Sequence, residues 1–282
     1  MIRPDLHDCI RRKAGLISLS FEELPLTALA SPFRSGNTWV QHLLQMATGI
    51  GTSALYCDAE LHFDGFPFEC NHTHHRQLLV VKTHEPRPPG PPKRVTVRSR
   101  NGVREIYVPQ PPIKNPPFDR AVLLIRDPYN YLVGNMYTSH LDTVKEEEYF
   151  RESKWRIAQP GLLKWWTDFN DYWLRKFQGP VYPLLYSKLL IDTETELRKL
   201  LNFLNVTYTD SDIRCAIDNQ KGNFRRKHFV WTRIKDIIEL FNNTMKMKID
   251  ASVKLLTGHL RTKYGIEWVN ETHNVRIAQM HK

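Results

Sequence analysis

A short polar loop between a strand and a helix constrains this chain more than any other feature. Leu26-Thr27-Ala28-Leu29-Ala30 is an apolar run, Ser31 to Trp39 reads Ser-Pro-Phe-Arg-Ser-Gly-Asn-Thr-Trp, and Val40 to Ala47 continues as a periodic apolar segment. Strand, tight loop and helix in that order aim backbone N–H groups and the positive end of a helix at one point, and that point suits a phosphate. Gly36 lets the backbone approach an anion closely. Ser35 and Thr38 add hydroxyl donors, Arg34 adds fixed positive charge, and Trp39 offers a flat face for a base.

Further along, short apolar strands alternate with helical patterns. Leu78 to Val81 reads as a second strand ending in Lys82-Thr83-His84. Ala121 to Ile125 is a third, followed by Arg126, and Val181 to Tyr186 is a fourth. This alternation predicts a three-layer α/β/α fold with a central parallel sheet of about four to five strands. A chain of 282 residues with 41% hydrophobic and 11% aromatic residues fits one such large domain. Gly49 is a plausible stop for the first helix. Leu162, Trp166, Phe169, Trp173 and Phe177 share one helix face at spacings of three and four; such an aromatic stripe reads as core. Thr193 and Glu196 read as a capping box before Leu197. Residues 1–24 read as a poorly ordered lead-in, and 25–282 as the domain. Within it, residues 86–117 hold ten of the chain's 18 prolines. They read as an exposed insertion with a small hairpin around Asn101-Gly102.

In a parallel sheet the polar strand ends share one edge, where ligands bind. Arg34 to Thr38, Lys82-Thr83-His84 and Arg126 would converge there as donors, cations and one imidazole. The loop lacks the Gly-Lys-Ser/Thr of a Walker A sequence, and no later Asp sits at an obvious Mg²⁺-binding strand end.

The pattern resembles the 5′-phosphosulfate loop of sulfotransferases that use 3′-phosphoadenosine 5′-phosphosulfate (PAPS). The nearest likeness is to the WSC-domain-containing sulfotransferases, a Golgi branch proposed to sulfate sialic acid. It rests on Ala30-Ser31 with Ser35 to Trp39, Ala47-Thr48-Gly49, Val81 to Glu85, Ala121 to Pro128, Phe203 to Val206 and Phe224-Arg225-Arg226. The resemblance implies a P-loop-like fold and PAPS as donor, with PAP as product and no metal. Arg34, Ser35, Gly36, Asn37 and Thr38 would cradle the 5′-phosphosulfate, with Trp39 and Tyr186 near adenine. Arg126, Arg225 and Arg226 would hold the 3′-phosphate, where Gly134 replaces a serine frequent in the family. Lys82 and Arg34 would stabilise the leaving phosphate. His84 would take the acceptor proton, since an imidazole titrates near neutral pH; Glu85 is the rival base. The chain resembles the catalytic domain alone, without WSC modules or an anchor.

The net charge of +10 suits an anionic glycan acceptor, though charge alone also fits nucleic acid or a membrane surface. The motifs make nucleic acid the unexpected partner. No stretch is long and apolar enough to span a bilayer. Met1 to Lys13 carries no signal-peptide core, which read literally means the cytosol. The resemblance and four glycosylation sequons, at Asn71, Asn205, Asn242 and Asn270, point instead to the Golgi lumen. Cys57 and Cys70 are close enough in sequence to pair in an oxidising compartment; free or buried thiols are as good a reading. Cys70 with His72, His74 and His75 invites zinc, but no second ligand cluster accompanies them. These histidines, with His62 and Asp58, are an alternative lining for the acceptor pocket. Two rival functions remain on sequence grounds: a P-loop-like kinase or NTPase, and a catalytically impaired PAPS- or anion-binding protein.

Overall fold

The computed structural model describes residues 4–71, 73–86, 93–99, 102–108, 118–140, 153–222 and 237–271. Arg225 and Arg226 lie outside them. Five parallel strands, β1 (Thr27–Ala30), β2 (Ser53–Ala54), β3 (Val81–Thr83), β6 (Arg120–Ile125) and β7 (Val181–Leu185), form the sheet in the order β2-β3-β1-β6-β7. The central strand β1 pairs Ala28 with Val81 on one side and with Ala121 on the other. Its four residues are all buried, which explains why it reads as a continuous apolar run rather than an alternating one. From β1 the chain builds outward in both directions, so strand order reverses there, and the crevice beyond its carboxyl end is the place such sheets bind ligands.

Side chains leave the sheet alternately. Ala28, Ala30, Leu123 and Ile125 face one core, and Leu29, Val122 and Leu124 face the other. The second core is covered by α2 (Asn37–Thr48), α6 (Tyr186–Ile191), α7 (Thr193–Phe203) and α8 (Asp210–Asp218). The first is covered by α4 (Pro128–His140), α5 (Ser153–Asp171) and α9 (Asn243–Tyr264). The sheet is therefore sandwiched between two helical layers, as the alternating pattern predicts. Gly49 ends α2 in the left-handed conformation at φ 70°. The cap of α7 falls one residue earlier than the sequence suggests. Asp192 accepts from the Thr195 amide, while the Thr193 hydroxyl turns back to the Leu189 carbonyl. Aspartate is at least as good an N-cap as threonine, and it wins here.

The Pro-rich insertion contains the expected hairpin, β4 (Lys93–Ser99) against β5 (Gly102–Val108), antiparallel. The lead-in carries a helix, α1 (Pro4–Lys13). Cys9 in α1 is bridged to Cys215 in α8, and Arg12 donates to the Met46 and Ala47 carbonyls and pairs with Asp212 at 2.6 Å. A helix this short needs such tertiary ties to persist, and those to Cys215 and Asp212 span 206 and 200 positions, beyond the reach of any local pattern. Cys57 and Cys70 also pair. All four cysteines are thus in disulfides, and Cys70 is spent as a metal ligand.

Candidate active site

Four strand ends meet at one edge of the sheet. After β1 the loop turns sharply: Arg34 adopts φ 62° and Gly36 φ 95°. Gly36 is the N-cap of α2 and supplies no side-chain cap, and the first turn of α2 has no acidic residue. The orphan amides and positive helix end therefore face the loop without a built-in anion. Ser35 is fully buried, and its hydroxyl has no hydrogen-bond partner. A buried hydroxyl without a partner is costly, and an anion in this loop would satisfy it. A Cβ on Gly36 would run into the Tyr186 ring, so only glycine leaves this cradle open. Asn37 donates to the Ser31 hydroxyl at 2.9 Å, and the Thr38 hydroxyl donates to Asn37. The residues present fit a phosphate-bearing group.

Tyr186, at the end of β7, gathers the donor side. Its ring lies edge-on to Trp39 at 5.8 Å and under the Arg126 guanidinium at 4.8 Å. Arg126 Nη1 donates to the Arg34 carbonyl at 2.6 Å. Strand ends β1, β6 and β7 are thereby joined through one cation. Gly134 stands beside the Arg34 Cβ.

One contact here has no counterpart in the sequence reading. Glu271 is buried, accepts from Arg126 Nε at 3.3 Å and accepts from the Asp127 amide at 3.3 Å. A carboxylate from near the end of the chain thus sits on the cation that the resemblance gives to the 3′-phosphate. No local pattern marks Glu271.

Asp127 caps α4, accepting from the Tyr129 and Asn130 amides. Burial, and then the nearby Glu271 charge, push its carboxyl up to about 6. The folded protein holds this proton more tightly than the unfolded chain does. Stability is therefore highest below about pH 4 on this account and falls as pH rises toward 6. The rise from 3.8 to about 6 is worth about 3 kcal/mol at full expression. Asp127→Asn keeps the cap and removes the titration. Urea unfolding between pH 4 and 7 should show a slope in the wild type that flattens in the variant.

On the other side, His84 follows β3. It is buried, and Nδ1 lies 2.7 Å from the Ser31 carbonyl. A carbonyl only accepts, so Nδ1 carries the hydrogen and the neutral ring keeps its lone pair on Nε2. Phe33 packs on the imidazole at 4.1 Å, and Tyr56 lies parallel to it at 5.8 Å. The Tyr56 hydroxyl donates to Glu85 Oε1 at 2.8 Å. The two rival bases are therefore linked by a residue that sequence reasoning passed over. The signal for Tyr56 is weak, because the preceding strand β2 has only two residues.

Lys82 belongs to β3 itself. Its ammonium is buried in an ion pair with Glu69, and Gln41 donates to the other carboxylate oxygen at 3.3 Å. Asp58 caps α3 (Ala59–Phe63) by accepting from the Leu61 amide.

The aromatic stripe serves both core and site. Trp173 Nε1 donates to the Glu85 carbonyl, Trp165 Nε1 to that of Pro86, and Trp166 Nε1 to that of Arg126. Three indoles from one stretch of chain thus pin the ends of β3 and β6.

The chain is similar to several known proteins. Relatives include a WSCD family member of Drosophila melanogaster, CG9164, 35% identical over 219 residues, which are 75% of this chain and 60% of the relative. Another, AAEL009094 of Aedes aegypti, is 32% identical over 207 residues, 72% of this chain and 57% of the relative. The chain spans about 60% of the length of the curated relatives it matches. Solved structures of similar outline include mouse sulfotransferase SULT7A1 complexed with PAP, at 14% identity and TM-score 0.46. That match covers 96% of this chain and 93% of the other. The sequence model of the sulfotransferase domain matches residues 25–233, most of the chain and every strand end described above. By that match, the chain belongs to the sulfotransferase domain family.

Proposed function

We propose that this chain transfers a sulfuryl group from PAPS to a carbohydrate hydroxyl, with sialic acid on glycans as the first acceptor to test. The observation that carries the reading is the hydrogen bond from His84 Nδ1 to the Ser31 carbonyl. It ties a correctly oriented base to the first residue of the anion loop, so donor and proton acceptor are held as one unit. PAPS supplies an activated sulfuryl group on a mixed anhydride. The loop amides, Ser35, Asn37 and Thr38 hold the 5′ end. Arg34 adds charge there, Trp39 and Tyr186 flank the adenine, and Arg126 meets the 3′-phosphate with Arg225 and Arg226. His84 Nε2 takes the acceptor hydroxyl's proton as the new oxygen–sulfur bond forms and the phosphate oxygen departs with the old bonding pair. Such a reaction depends mainly on positioning and fixed charge. Lys82, paired with Glu69, stabilises the leaving phosphate together with Arg34.

Phe33 and Tyr56 against His84 offer flat faces to a sugar ring, and the net charge of +10 favours an anionic acceptor. Two disulfides and four sequons fit an oxidising, glycosylating compartment, which supports the Golgi lumen. Among the described residues no helix is long and apolar enough to cross a membrane.

The test is incubation with ³⁵S-labelled PAPS and matched sialylated and desialylated glycans. Label should appear on the sialylated set. Transfer only to desialylated glycans would overturn the acceptor, and PAP binding without any transfer would leave an impaired binding protein. In thermal-shift assays PAP should stabilise the chain more than ATP with Mg²⁺; the reverse would favour the kinase reading. Gly36→Ala forces a side chain into a left-handed position against Tyr186. It should cost roughly 1–3 kcal/mol of stability and weaken PAP binding by about tenfold in calorimetry.

A further inference from the structure

The segment between the paired cysteines 57 and 70 touches the end of β3 with the two residues that flank its bridge. Tyr56 precedes Cys57, stacks on His84 and donates to Glu85. Glu69 precedes Cys70 and holds the Lys82 ammonium. The backbone repeats the pattern: the Leu55 amide donates to the Lys82 carbonyl and the Ala54 amide to the Glu69 carbonyl. Three of four consecutive β3-end residues, Lys82, His84 and Glu85, thus take a side-chain partner from a residue directly preceding one cysteine of the bridge.

Resting on the sulfotransferase reading above, we propose that Tyr56 is a positioning residue for the proton-accepting group, held in place by the Cys57–Cys70 disulfide. Tyr56 limits rotation of the imidazole by lying parallel to it at an angle of 5°. Through its hydroxyl it turns the Glu85 carboxylate toward itself, which fixes the negative charge beside the ring. The loop that Tyr56 leads into closes over a sequence separation of only 13 between its cysteines, and its edge strand β2 is two residues long. Two paired residues at a sheet edge anchor a loop weakly, so the covalent closure carries much of the placement. Reduction of this one bridge releases Tyr56 and Glu69 together and leaves the loop after β1 intact. The site therefore answers to the oxidation state of its compartment on the acceptor side alone.

The experiment uses the full chain and three readouts. PAP affinity is measured by calorimetry. Initial rates of ³⁵S transfer from PAPS to a sialylated glycan give kcat and KM. The chemical shift of the His84 Cε1 proton, assigned by its loss in His84→Asn, reports the ring current of stacked Tyr56. In Cys57→Ser/Cys70→Ser the His84 proton should move, kcat should fall at least tenfold, and PAP affinity should stay within twofold. Tyr56→Phe keeps the stack and loses the hydroxyl. Its His84 signal should stay near the wild-type position while kcat falls about three- to tenfold and the pH profile of kcat shifts. Cys9→Ser/Cys215→Ser, on the far face, should leave the His84 signal in place. An unmoved His84 signal in Cys57→Ser/Cys70→Ser overturns the proposal, as does PAP affinity falling in step with kcat, which would mark general unfolding. If the wild type binds PAP yet transfers nothing, the sulfotransferase reading fails, and the His84 signal still decides whether the disulfide places Tyr56.

Discussion

His84→Asn should lower sulfuryl transfer by roughly 10²–10⁴-fold, the usual contribution of a positioned general base, while PAP affinity changes little. The two effects separate because His84 belongs to the acceptor side. Its Nδ1 bonds the Ser31 carbonyl, upstream of the loop amides. Asparagine can restore that bond through its side-chain amide but offers no basic nitrogen. Glu85→Gln tests the rival. It leaves an acceptor for Tyr56 and removes the charge, and a loss of three- to tenfold is expected. A Glu85→Gln enzyme that is dead beside a His84→Asn enzyme that turns over normally would transfer the role of base to Glu85. Single-turnover rates with labelled PAPS are the measurement, since steady-state rates mix in PAP release.

Glu271→Gln should tighten PAP binding by roughly ten- to a hundredfold. Glu271 and a 3′-phosphate are both anions, and Arg126 has the same guanidinium to give either one. In the ligand-free chain the carboxylate holds the Arg126 Nε and the Asp127 amide. Any anion arriving there must break those contacts first. A charge-assisted hydrogen bond contributes about 1.5–3 kcal/mol, which sets the size of the gain. The same change strips a buried guanidinium of its counter-charge, so the ligand-free variant should melt earlier. The thermal shift on adding PAP should therefore widen from both ends. Arg126→Ala gives the opposite sign, with PAP binding weakened severely. If Glu271→Gln weakens PAP binding instead, the carboxylate serves to aim Arg126 rather than to compete for it.

The loop from Ser31 to Trp39 and the strand ends could be read from sequence because parallel strands write themselves as continuous apolar runs and their polar ends must share an edge. Gly36, Trp39, Arg126 and Tyr186 lie together at that edge; strand-end logic reaches Gly36 and Arg126, and Tyr186 comes from the resemblance. The acceptor side was less legible. Tyr56 and Glu69 sit on a segment with no period, shaped by a single short helix and closed by a disulfide. Lys82 is read from its strand end and the resemblance, but its partner is not. The buried Glu69 that claims it lies thirteen residues upstream and carries no pattern of its own. Glu271 and the Cys9–Cys215 bridge are contacts across most of the chain. Long-range pairs of this kind leave no local trace, whatever their importance to the site.

The three indole donors of residues 165, 166 and 173 have a consequence for how this protein can diversify. They fasten the carbonyls of Glu85, Pro86 and Arg126 to one aromatic stretch, so the ends of β3 and β6 are held by a common plate. Change must then come from what the plate does not hold: the disulfide loop at one rim and the Glu271 segment at the other. A descendant could trade one acceptor for another by rewriting residues 55–71 and leave the donor chemistry untouched. It could equally tune donor affinity at residue 271 without altering acceptor choice.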